Sequence, residues 1–219
     1  MVENALYILL AYLVGAIPFG YLAGRLNGVD LREHGSHNIG ATNAVRVLGK
    51  KWGIPVFVCD FLKGYVPLAV AMRLMADGQV DVAQYSPAEM GWCLGVMVAL
   101  VLGHTYTCYL HFRGGKGVAT MAGCLVAFMP MVAGVAVVAF VVVMALTRYV
   151  SLSSLVAGLV MVVAAARIFV SNDGTLLPAE WMALGMLSLI FVLVVWKHRS
   201  NIVRICRGTE NKAFSRKRS

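Results

Sequence analysis

The sequence predicts an all-α integral membrane protein, from its composition and the length of its apolar runs. Of the 219 residues, 60% are hydrophobic and 13% are charged, whereas a soluble domain carries roughly a quarter charged residues. The apolar residues form long runs, and a helix needs roughly 20 of them to cross the hydrocarbon of a bilayer. We therefore assign the net charge of +9 to cytoplasmic loops and lipid headgroups rather than to nucleic acid binding.

Five of these runs have the length of a single membrane-spanning helix. They cover residues 4–24, 54–75, 88–110, 151–170 and 181–196. A sixth run, residues 118–146, is long for one span and short for two ordinary spans.

The distribution of Lys and Arg decides how the long run crosses the membrane. Basic segments follow the first span, the third span and the last span, at residues 25–51, 113–116 and 197–218. The positive-inside rule places all three in the cytoplasm. The segments at 113–116 and 197–218 lie on the same side only if an even number of crossings separates them. The run 118–146 must therefore form two helices, with a break near Pro130. We therefore predict seven transmembrane helices, with the N-terminus outside and the C-terminus cytoplasmic, one membrane domain over 1–212, and a basic cytoplasmic tail over 213–219.

The first polar segment, residues 34–46, reads HGSHNIGATNAVR. Its small residues let backbone N–H groups converge, its short polar side chains add donors, and its arginine adds a planar fork of N–H groups. Such a set suits a phosphate or another oxyanion. An ordinary polar loop with capping residues remains the alternative. The candidate residues are Ser36, Asn38, Gly40, Thr42, Asn43 and Arg46.

The second polar segment, residues 112–120, reads FRGGKGVAT. Gly114, Gly115 and Gly117 surround Lys116 and open an apolar helix. Because a helix N-terminus presents oriented N–H groups and the lysine adds charge, the segment is typical of an anion site. It lacks the spacing of a Walker A loop. A glycine hinge next to a positive-inside lysine is the alternative.

The third polar segment, residues 197–210, follows the last span. His198 and Asn201 are three positions apart, so one helical face can present both. Taken alone, the segment is more typical of a solvated charge cluster. Ser151 and Ser154 begin the sixth span on the same side of the membrane, and as lone serines they are more typical of helix caps or helix packing.

Within the second span, Asp60 and Lys63 are three positions apart, and we predict a structural ion pair between them. The histidines and cysteines show no spacing typical of metal ligands, and the chain has no C-x-x-C or G-x-S-x-G motif. We therefore predict neither a metal nor a cofactor.

These three segments, together with DFLKG at residues 60–64, closely resemble the motifs of the bacterial membrane acyl-phosphate:glycerol-3-phosphate acyltransferases over about residues 5–212. The resemblance implies a multi-pass enzyme of the bacterial cytoplasmic (inner) membrane with its active site at the cytoplasmic face. Such enzymes transfer a fatty acyl group from acyl phosphate to the sn-1 hydroxyl of glycerol 3-phosphate. The products are lysophosphatidic acid and phosphate, in the first acylation step of phospholipid synthesis. The implied partners are these substrates and membrane lipids; contact with the upstream enzyme that forms acyl phosphate stays open.

The resemblance also implies roles for individual residues. The serine that belongs to the family's site at the start of the sixth helix is either Ser151 or Ser154. His37 stands where the family usually has Gly, and it either narrows the loop or adds a titratable group. The family's catalytic residues correspond to Ser36, Asn38, Arg46, His198 and Asn201, its phosphate-loop lysine to Lys116, and its structural glutamate to Glu210.

The chemistry implied by the resemblance needs little from the protein beyond positioning and charge stabilisation, because acyl phosphate is already activated. We therefore expect direct transfer without an acyl-enzyme, with either His198 or the substrate phosphate as the proton acceptor. An anion transporter and a noncatalytic scaffold are the rival functions. A transporter is expected to carry polar groups near the bilayer midplane, whereas the polar segments here cluster on one side.

Overall fold

The computed structural model describes residues 2–75, 85–170 and 176–213, and all regular structure in them is helical. This confirms the predicted all-α class. Residues 214–219, which include most of the predicted basic tail, lie outside the described residues, as do Asp77, Asp81 and Asp173 of the predicted outer loops. Within these described ranges, six helical segments are long and apolar enough to cross a membrane, namely Glu3–Leu26, Lys50–Met75, Pro87–Leu110, Pro130–Thr147, Val150–Phe169 and Pro178–Lys197.

The chain divides into two compact units, Met1–Phe128 and Met129–Ser219, which we describe separately. The single domain over 1–212 stays a prediction. A short 3₁₀ helix, Cys108–Leu110, follows the fifth α-helix. The α-helices of the first unit are α1 Val2–Ala16, α2 Phe19–Leu26, α3 Ala41–Leu48, α4 Lys50–Met75, α5 Pro87–Thr105 and α6 Val118–Phe128. Those of the second unit are α7 Pro130–Thr147, α8 Val150–Phe169, α9 Pro178–Lys197 and α10 Arg199–Cys206.

The helix break predicted inside the long apolar run is present. Helix α6 ends at Phe128, Met129 is non-helical with φ −143° and ψ 76°, and α7 begins at Pro130. Proline suits the first helical position because its missing N–H would have no partner there. With 11 residues, α6 is shorter than the roughly 20 residues of an ordinary span. The count of seven spans and the orientation of the termini therefore stay predictions.

The first membrane-spanning segment is interrupted at Ile17 and Pro18, between α1 and α2. Proline disfavours the helical conformation in the residue before it and donates no backbone hydrogen bond. Two side chains bind the carbonyls released by this break: the Thr107 hydroxyl donates to Ala16 at 2.6 Å and the Lys63 ammonium donates to Ile17 at 2.8 Å. The two carbonyls at the break therefore point toward other parts of the unit, whose side chains stabilise the break.

Helices α4 and α6 approach so closely that their backbones touch at two glycines. A Cβ atom at Gly64 would overlap the carbonyl of Thr120, and a Cβ atom at Gly123 would overlap the carbonyl of Phe61. Small residues allow this approach between membrane helices, where dispersion contacts replace the hydrophobic effect. The contact fixes the start of α6 on α4.

In the second unit, α8 packs against both α7 and α9. The inward faces carry Ala165, Ala183 and Leu187, which are buried, whereas Val138 and Leu189 are more than half exposed. Such exposed apolar faces suit lipid rather than water. The unit is therefore built to lie in a bilayer.

We expect Gly64→Ala to lower the free energy of unfolding by about 1–3 kcal/mol, the usual cost of overpacking a close contact. Gly134→Ala is the matched control, because a Cβ atom at Gly134 meets nothing within 4 Å. Thermal unfolding of both variants in detergent measures the difference. Equal unfolding temperatures for the two variants would contradict the close approach of α4 and α6.

Candidate active site

The first polar segment is a loop that ends in a helix. Gly40 has the extended backbone of a helix N-cap, and α3 covers Ala41–Leu48. The sequence predicts a loop over residues 34–46, and the structure differs because a helix begins at Ala41. The signal for this helix was the spacing of Ala44, Val47 and Leu48, which pack with the unit's buried cluster around Leu31.

The side chain of Asn43 holds this loop together from the inside. It is 1% exposed, and its Nδ2 group donates to the carbonyls of Leu31, His34 and Asn38 at 3.1, 3.0 and 2.8 Å. Two amide hydrogens serve three acceptors, so one hydrogen is shared. These contacts give the amide a role in shaping the loop, and the phosphate-binding role of Asn43 stays a prediction.

The amide oxygen of Asn43 brings two candidate residues together. It accepts the backbone N–H of Ser36 at 2.8 Å and lies 3.5 Å from Nη1 of Arg46. Gly35 makes this approach possible, because it has φ 64° and a Cβ atom there would collide with the same oxygen. Ser36 and Arg46 are therefore held on one side of the loop by one buried side chain.

Asn38 and Thr42 lie on the outer side of this arrangement. The Oδ1 atom of Asn38 accepts the backbone N–H of Gly40 at 2.8 Å, which is an Asx turn. The amide Nδ2 of Asn38 is then the donor end of that side chain. Thr42 is exposed in the first turn of α3.

Just before this loop, the charge of Arg32 is paired with the carboxylate of Asp30. Arg32 contacts Asp30 through Nε and Nη2, with Nη2 at 2.6 Å from Oδ2, and its guanidinium lies 4.8 Å from the centroid of the Tyr21 ring. Hydrogen bonds from Arg32 hold the pKa of Asp30 at about 2, below its usual range. This pairing and the contact with Tyr21 fix the side chain of Arg32 just before the first polar segment.

His37 has the left-handed backbone conformation, with φ 56°, in which glycine is favoured. This agrees with the glycine that the resemblance leads us to expect at this position. The strain of a non-glycine residue here is roughly 1 kcal/mol. The ring Nδ1 of His37 lies at 3.0 Å from the carbonyl of Arg32, and this hydrogen bond offsets part of that strain.

The second polar segment turns back onto the end of α5. Gly114 and Gly115 donate their backbone N–H groups to the carbonyls of Thr105 and His104 at 3.2 and 3.0 Å. Gly117 has φ 83°, which favours glycine, and α6 begins at the next residue. The predicted passage from glycines to an apolar helix is confirmed. We call residues 114–117 the glycine loop; it carries Lys116, which is half-buried.

The predicted ion pair between Asp60 and Lys63 is confirmed, with Nζ at 2.7 Å from Oδ1 and both side chains 3% exposed. A narrow cleft beside it is also lined by Phe19, by Ile39 of the first polar segment and by His104. No third His, Cys, Asp or Glu from the described part of the chain joins Asp60 and His104 to form a metal-type cluster.

In the second unit, Glu210 connects the third polar segment to α8. Its Oε1 atom accepts the Ser151 hydroxyl at 2.9 Å and the Asn201 amide at 2.6 Å, and its Oε2 atom accepts Nε of Arg204 at 2.7 Å. Burial by itself raises the pKa of Glu210, but hydrogen bonds from Asn201, Arg204 and Ser151 outweigh it and hold the pKa below its ordinary value. Ser154 instead donates to the Val150 carbonyl of its own helix at 2.8 Å.

His198 lies at the junction of α9 and α10 and is 2% exposed. Its ring Nδ1 is 2.8 Å from the carbonyl of Val194. Because a carbonyl only accepts hydrogen bonds, this contact assigns the proton of the neutral ring to Nδ1. The Nε2 atom is then the ring nitrogen that carries no proton in the neutral ring. Asn201 follows in the first turn of α10 and donates its backbone N–H to the His198 carbonyl at 2.8 Å.

The sequence matches a family model described as glycerol-3-phosphate acyltransferase over residues 5–208. It is 42% identical over 219 residues to a glycerol-3-phosphate acyltransferase of Bacillus cereus (strain G9842), with 99% of each chain covered. It is 43% identical over 207 residues to one of Myxococcus xanthus (strain DK1622), covering 94% of this chain and 97% of that relative.

The fold is similar to crystal structures of an integral membrane glycerol 3-phosphate acyltransferase. Its glycerol 3-phosphate form superposes with a TM-score of 0.83 at 34% identity and covers 96% of both chains. Its lysophosphatidic acid form gives a TM-score of 0.79 at 35% identity, with 96% of this chain and 95% of that chain covered.

We expect Glu210→Gln to lower the free energy of unfolding at pH 7 by about 1–3 kcal/mol, because a hydrogen-bonded charged group is lost. The folded pKa of Glu210 lies below the ordinary 4.5, so the carboxylate stabilises the fold above that pH and the stabilisation is lost as the pH falls through the folded value. Thermal unfolding between pH 7 and pH 3 should therefore show a weaker acid dependence in the variant than in the wild type. The exposed Glu33, as Glu33→Gln, is the control. Parallel acid curves for wild type and Glu210→Gln would rule out the Glu210 network as a source of stability.

Proposed function

This chain belongs to the glycerol-3-phosphate acyltransferase family, and we propose that it transfers a fatty acyl group from acyl phosphate to the sn-1 hydroxyl of glycerol 3-phosphate. The products are lysophosphatidic acid and inorganic phosphate. The observation that carries the proposal is the likeness, over nearly the whole chain, to an enzyme solved in a glycerol 3-phosphate form and in a lysophosphatidic acid form. These molecules are the acceptor and the product of the proposed reaction.

The proposed reaction is a direct acyl transfer. The sn-1 hydroxyl oxygen of glycerol 3-phosphate attacks the carbonyl carbon of acyl phosphate, and a new C–O ester bond forms. The bond between the carbonyl carbon and the phosphate oxygen breaks, and phosphate leaves with its electron pair. The hydroxyl proton passes either to His198 or to the phosphate itself. Because the acyl group is already activated, positioning and charge stabilisation supply most of the catalysis.

In the first unit, we propose that Arg46 and Lys116 bind the phosphate groups of the substrates. Arg46 offers a planar fork that matches phosphate oxygens, and Lys116 offers a point charge beside the N–H groups of the glycine loop. Ser36 and Asn38 would donate hydrogen bonds to the acyl carbonyl or orient the substrate. The buried amide of Asn43, which contacts Ser36 and Arg46, acts as their positioning residue.

In the second unit, we propose His198 and Asn201 as the substrate-contacting residues. The hydrogen bond from Nδ1 of His198 to the Val194 carbonyl supports Nε2 as the atom that accepts a proton or binds phosphate. Glu210 fixes the side chain of Asn201. Of the two serines left open by the sequence, Ser151 is favoured because it shares the Glu210 carboxylate with Asn201.

We further propose seven membrane crossings, with the N-terminus outside, the C-terminus in the cytoplasm and the active site at the cytoplasmic face of the bacterial inner membrane. The helix break at Met129 and the apolar character of α6 support the seventh crossing. The basic residues after the first, third and last spans support the orientation. This arrangement lets the acyl chain lie in lipid while both phosphates meet cationic loops.

The proposal is tested with purified protein, glycerol 3-phosphate and either acyl phosphate or acyl-coenzyme A, with the products separated by chromatography. We expect lysophosphatidic acid and phosphate in equal amounts from acyl phosphate and no product from acyl-coenzyme A. Product from acyl-coenzyme A alone would refute the donor assignment. A trapped acyl group on Ser36 would contradict direct transfer.

We expect Lys116→Ala to raise the KM for glycerol 3-phosphate by about 10- to 100-fold, because a charge-assisted hydrogen bond contributes roughly 1.5–3 kcal/mol. Steady-state kinetics at saturating acyl phosphate measures the change. Lys51→Ala removes an exposed cation at the start of α4 and serves as the control with an unchanged KM. A wild-type KM in Lys116→Ala would remove Lys116 from the acceptor site.

A further inference from the structure

We infer that the buried triad of Asp60, Lys63 and His104 is a positioning device that holds the glycine loop, and with it Lys116, in its phosphate-binding shape. The triad lies on two helices of the first unit, α4 and α5, and contacts this loop through His104. The inference rests on the proposed function for the identity of the phosphate-bearing substrate. The triad residues act through the loop rather than by contact with the substrate.

The burial of the three triad side chains is not explained by a contribution to the stability of the fold. Asp60, Lys63 and His104 are 2%, 5% and 6% exposed and lie in membrane-spanning helices. Removing charges from water is costly, and a buried ion pair is often no more stabilising than apolar residues of similar volume. A need for stability alone therefore does not account for these side chains, whereas a geometric task does.

Lys63 fixes the triad to the break in the first spanning segment. Its Nζ atom lies 2.7 Å from Oδ1 of Asp60 and donates to the carbonyl of Ile17 at 2.8 Å. The ammonium also lies 5.4 Å from the centroid of the Phe19 ring, within the range of a cation–π interaction. The Ile17 carbonyl and the Phe19 ring fix the ammonium of Lys63, and the ammonium in turn fixes the carboxylate of Asp60.

Asp60 in turn lies next to the ring of His104, at the end of α5. The Nδ1 atom of His104 is 3.6 Å from Oδ1 of Asp60, a distance at which electrostatic attraction orients the ring without a short hydrogen bond. The opposite edge of the ring lies against the glycine loop, because a Cβ atom at Gly115 would collide with Nε2 of His104. The ring therefore separates the ion pair from the loop backbone.

The backbone of His104 holds the same loop. Its carbonyl accepts the N–H of Gly115 at 3.0 Å, and the next carbonyl, that of Thr105, accepts the N–H of Gly114 at 3.2 Å. A rotation of the ring away from Asp60 changes the surface on which Gly115 rests. Lys116 is the next residue, so the same rotation displaces its ammonium group. Displacements of about 1 Å at a substrate-binding group are enough to change binding and rate by large factors.

The far end of the loop is fixed to the same helix as the ion pair. The Gly117 carbonyl accepts the N–H of Met121 in α6, and α6 contacts α4 through Gly64, one turn after Asp60. Helix α4 therefore supports the loop at its start, through Asp60 and His104, and at its end, through α6. The position of Lys116 follows from the position of α4.

The first test replaces the ion pair by a neutral pair of similar volume, Asp60→Asn with Lys63→Met, which avoids leaving one charge buried alone. We expect the KM for glycerol 3-phosphate to rise about tenfold while kcat stays within about threefold, the pattern of lost ground-state binding. His104→Asn is the second variant, because it shortens the side chain that contacts Gly115 while it leaves both charges in place. We expect the same change in KM.

The second test does not depend on activity. Hydrogen–deuterium exchange followed by mass spectrometry should show faster exchange at Gly114 and Gly115 in both variants, while α6 keeps its wild-type protection. The control is Tyr7→Phe, which removes a 2.6 Å hydrogen bond to the Pro67 carbonyl elsewhere in the same unit. We expect it to leave the KM and the exchange at the loop unchanged.

The two tests separate the inference from the proposed function. Wild-type KM and wild-type exchange at the loop in both variants would overturn the inference. Faster exchange throughout the unit with an unchanged KM would also overturn it, because it would show a general loss of stability. If the wild-type protein made no lysophosphatidic acid while exchange rose only at the glycine loop, the proposed function would fail and the positioning of the loop would stand.

Discussion

The structure of the first unit depends on one constraint: a backbone carbonyl inside a bilayer has no water to bind and needs a donor from the protein. Leaving such a group unpaired costs several kcal/mol. The chain nevertheless interrupts its first spanning segment at Pro18. Thr107 and Lys63 donate to the two carbonyls next to the break, and the hydroxyl of Tyr12 donates to the carbonyl of Tyr106 just after α5. These three side chains satisfy carbonyls where the backbone is irregular beside the polar loops.

A similar solution recurs in the loops, where hydrogen bonds to a few groups, either side chains or backbone carbonyls, replace the regular backbone hydrogen bonds of a helix. Asn43 holds the first polar segment, the carbonyls of His104 and Thr105 hold the glycine loop, and Glu210 holds the third polar segment. Asn43 belongs to α3, His104 and Thr105 belong to α5, and Glu210 binds side chains of α8 and α10. The proposed substrate-binding groups are thereby fixed before substrate arrives, which is the condition for efficient electrostatic stabilisation of a transition state.

The sequence was sufficient to predict the features that depend on local pattern. Apolar run length predicted the spanning helices, and the placement of Lys and Arg along the chain predicted the break near Pro130, because both signals can be read from the order of residue types without knowing any contact. It was not sufficient to distinguish an amide that binds substrate from one that shapes a loop. The role of Asn43 depends on the burial of its side chain, and the preference for Ser151 over Ser154 depends on Glu210, which is distant in sequence. The short helix α3 was missed because glycine and polar residues at its start are equally typical of a loop.

The contacts of Asn43 have a consequence for the order in which the protein takes shape during synthesis. Its hydrogen-bonding partners in the loop lie at most 12 positions away along the chain. Closing such a small ring costs little chain entropy, and contacts of this range form early. The first polar segment can therefore acquire its final geometry as soon as α3 has left the ribosome, before the later helices exist to pack against it.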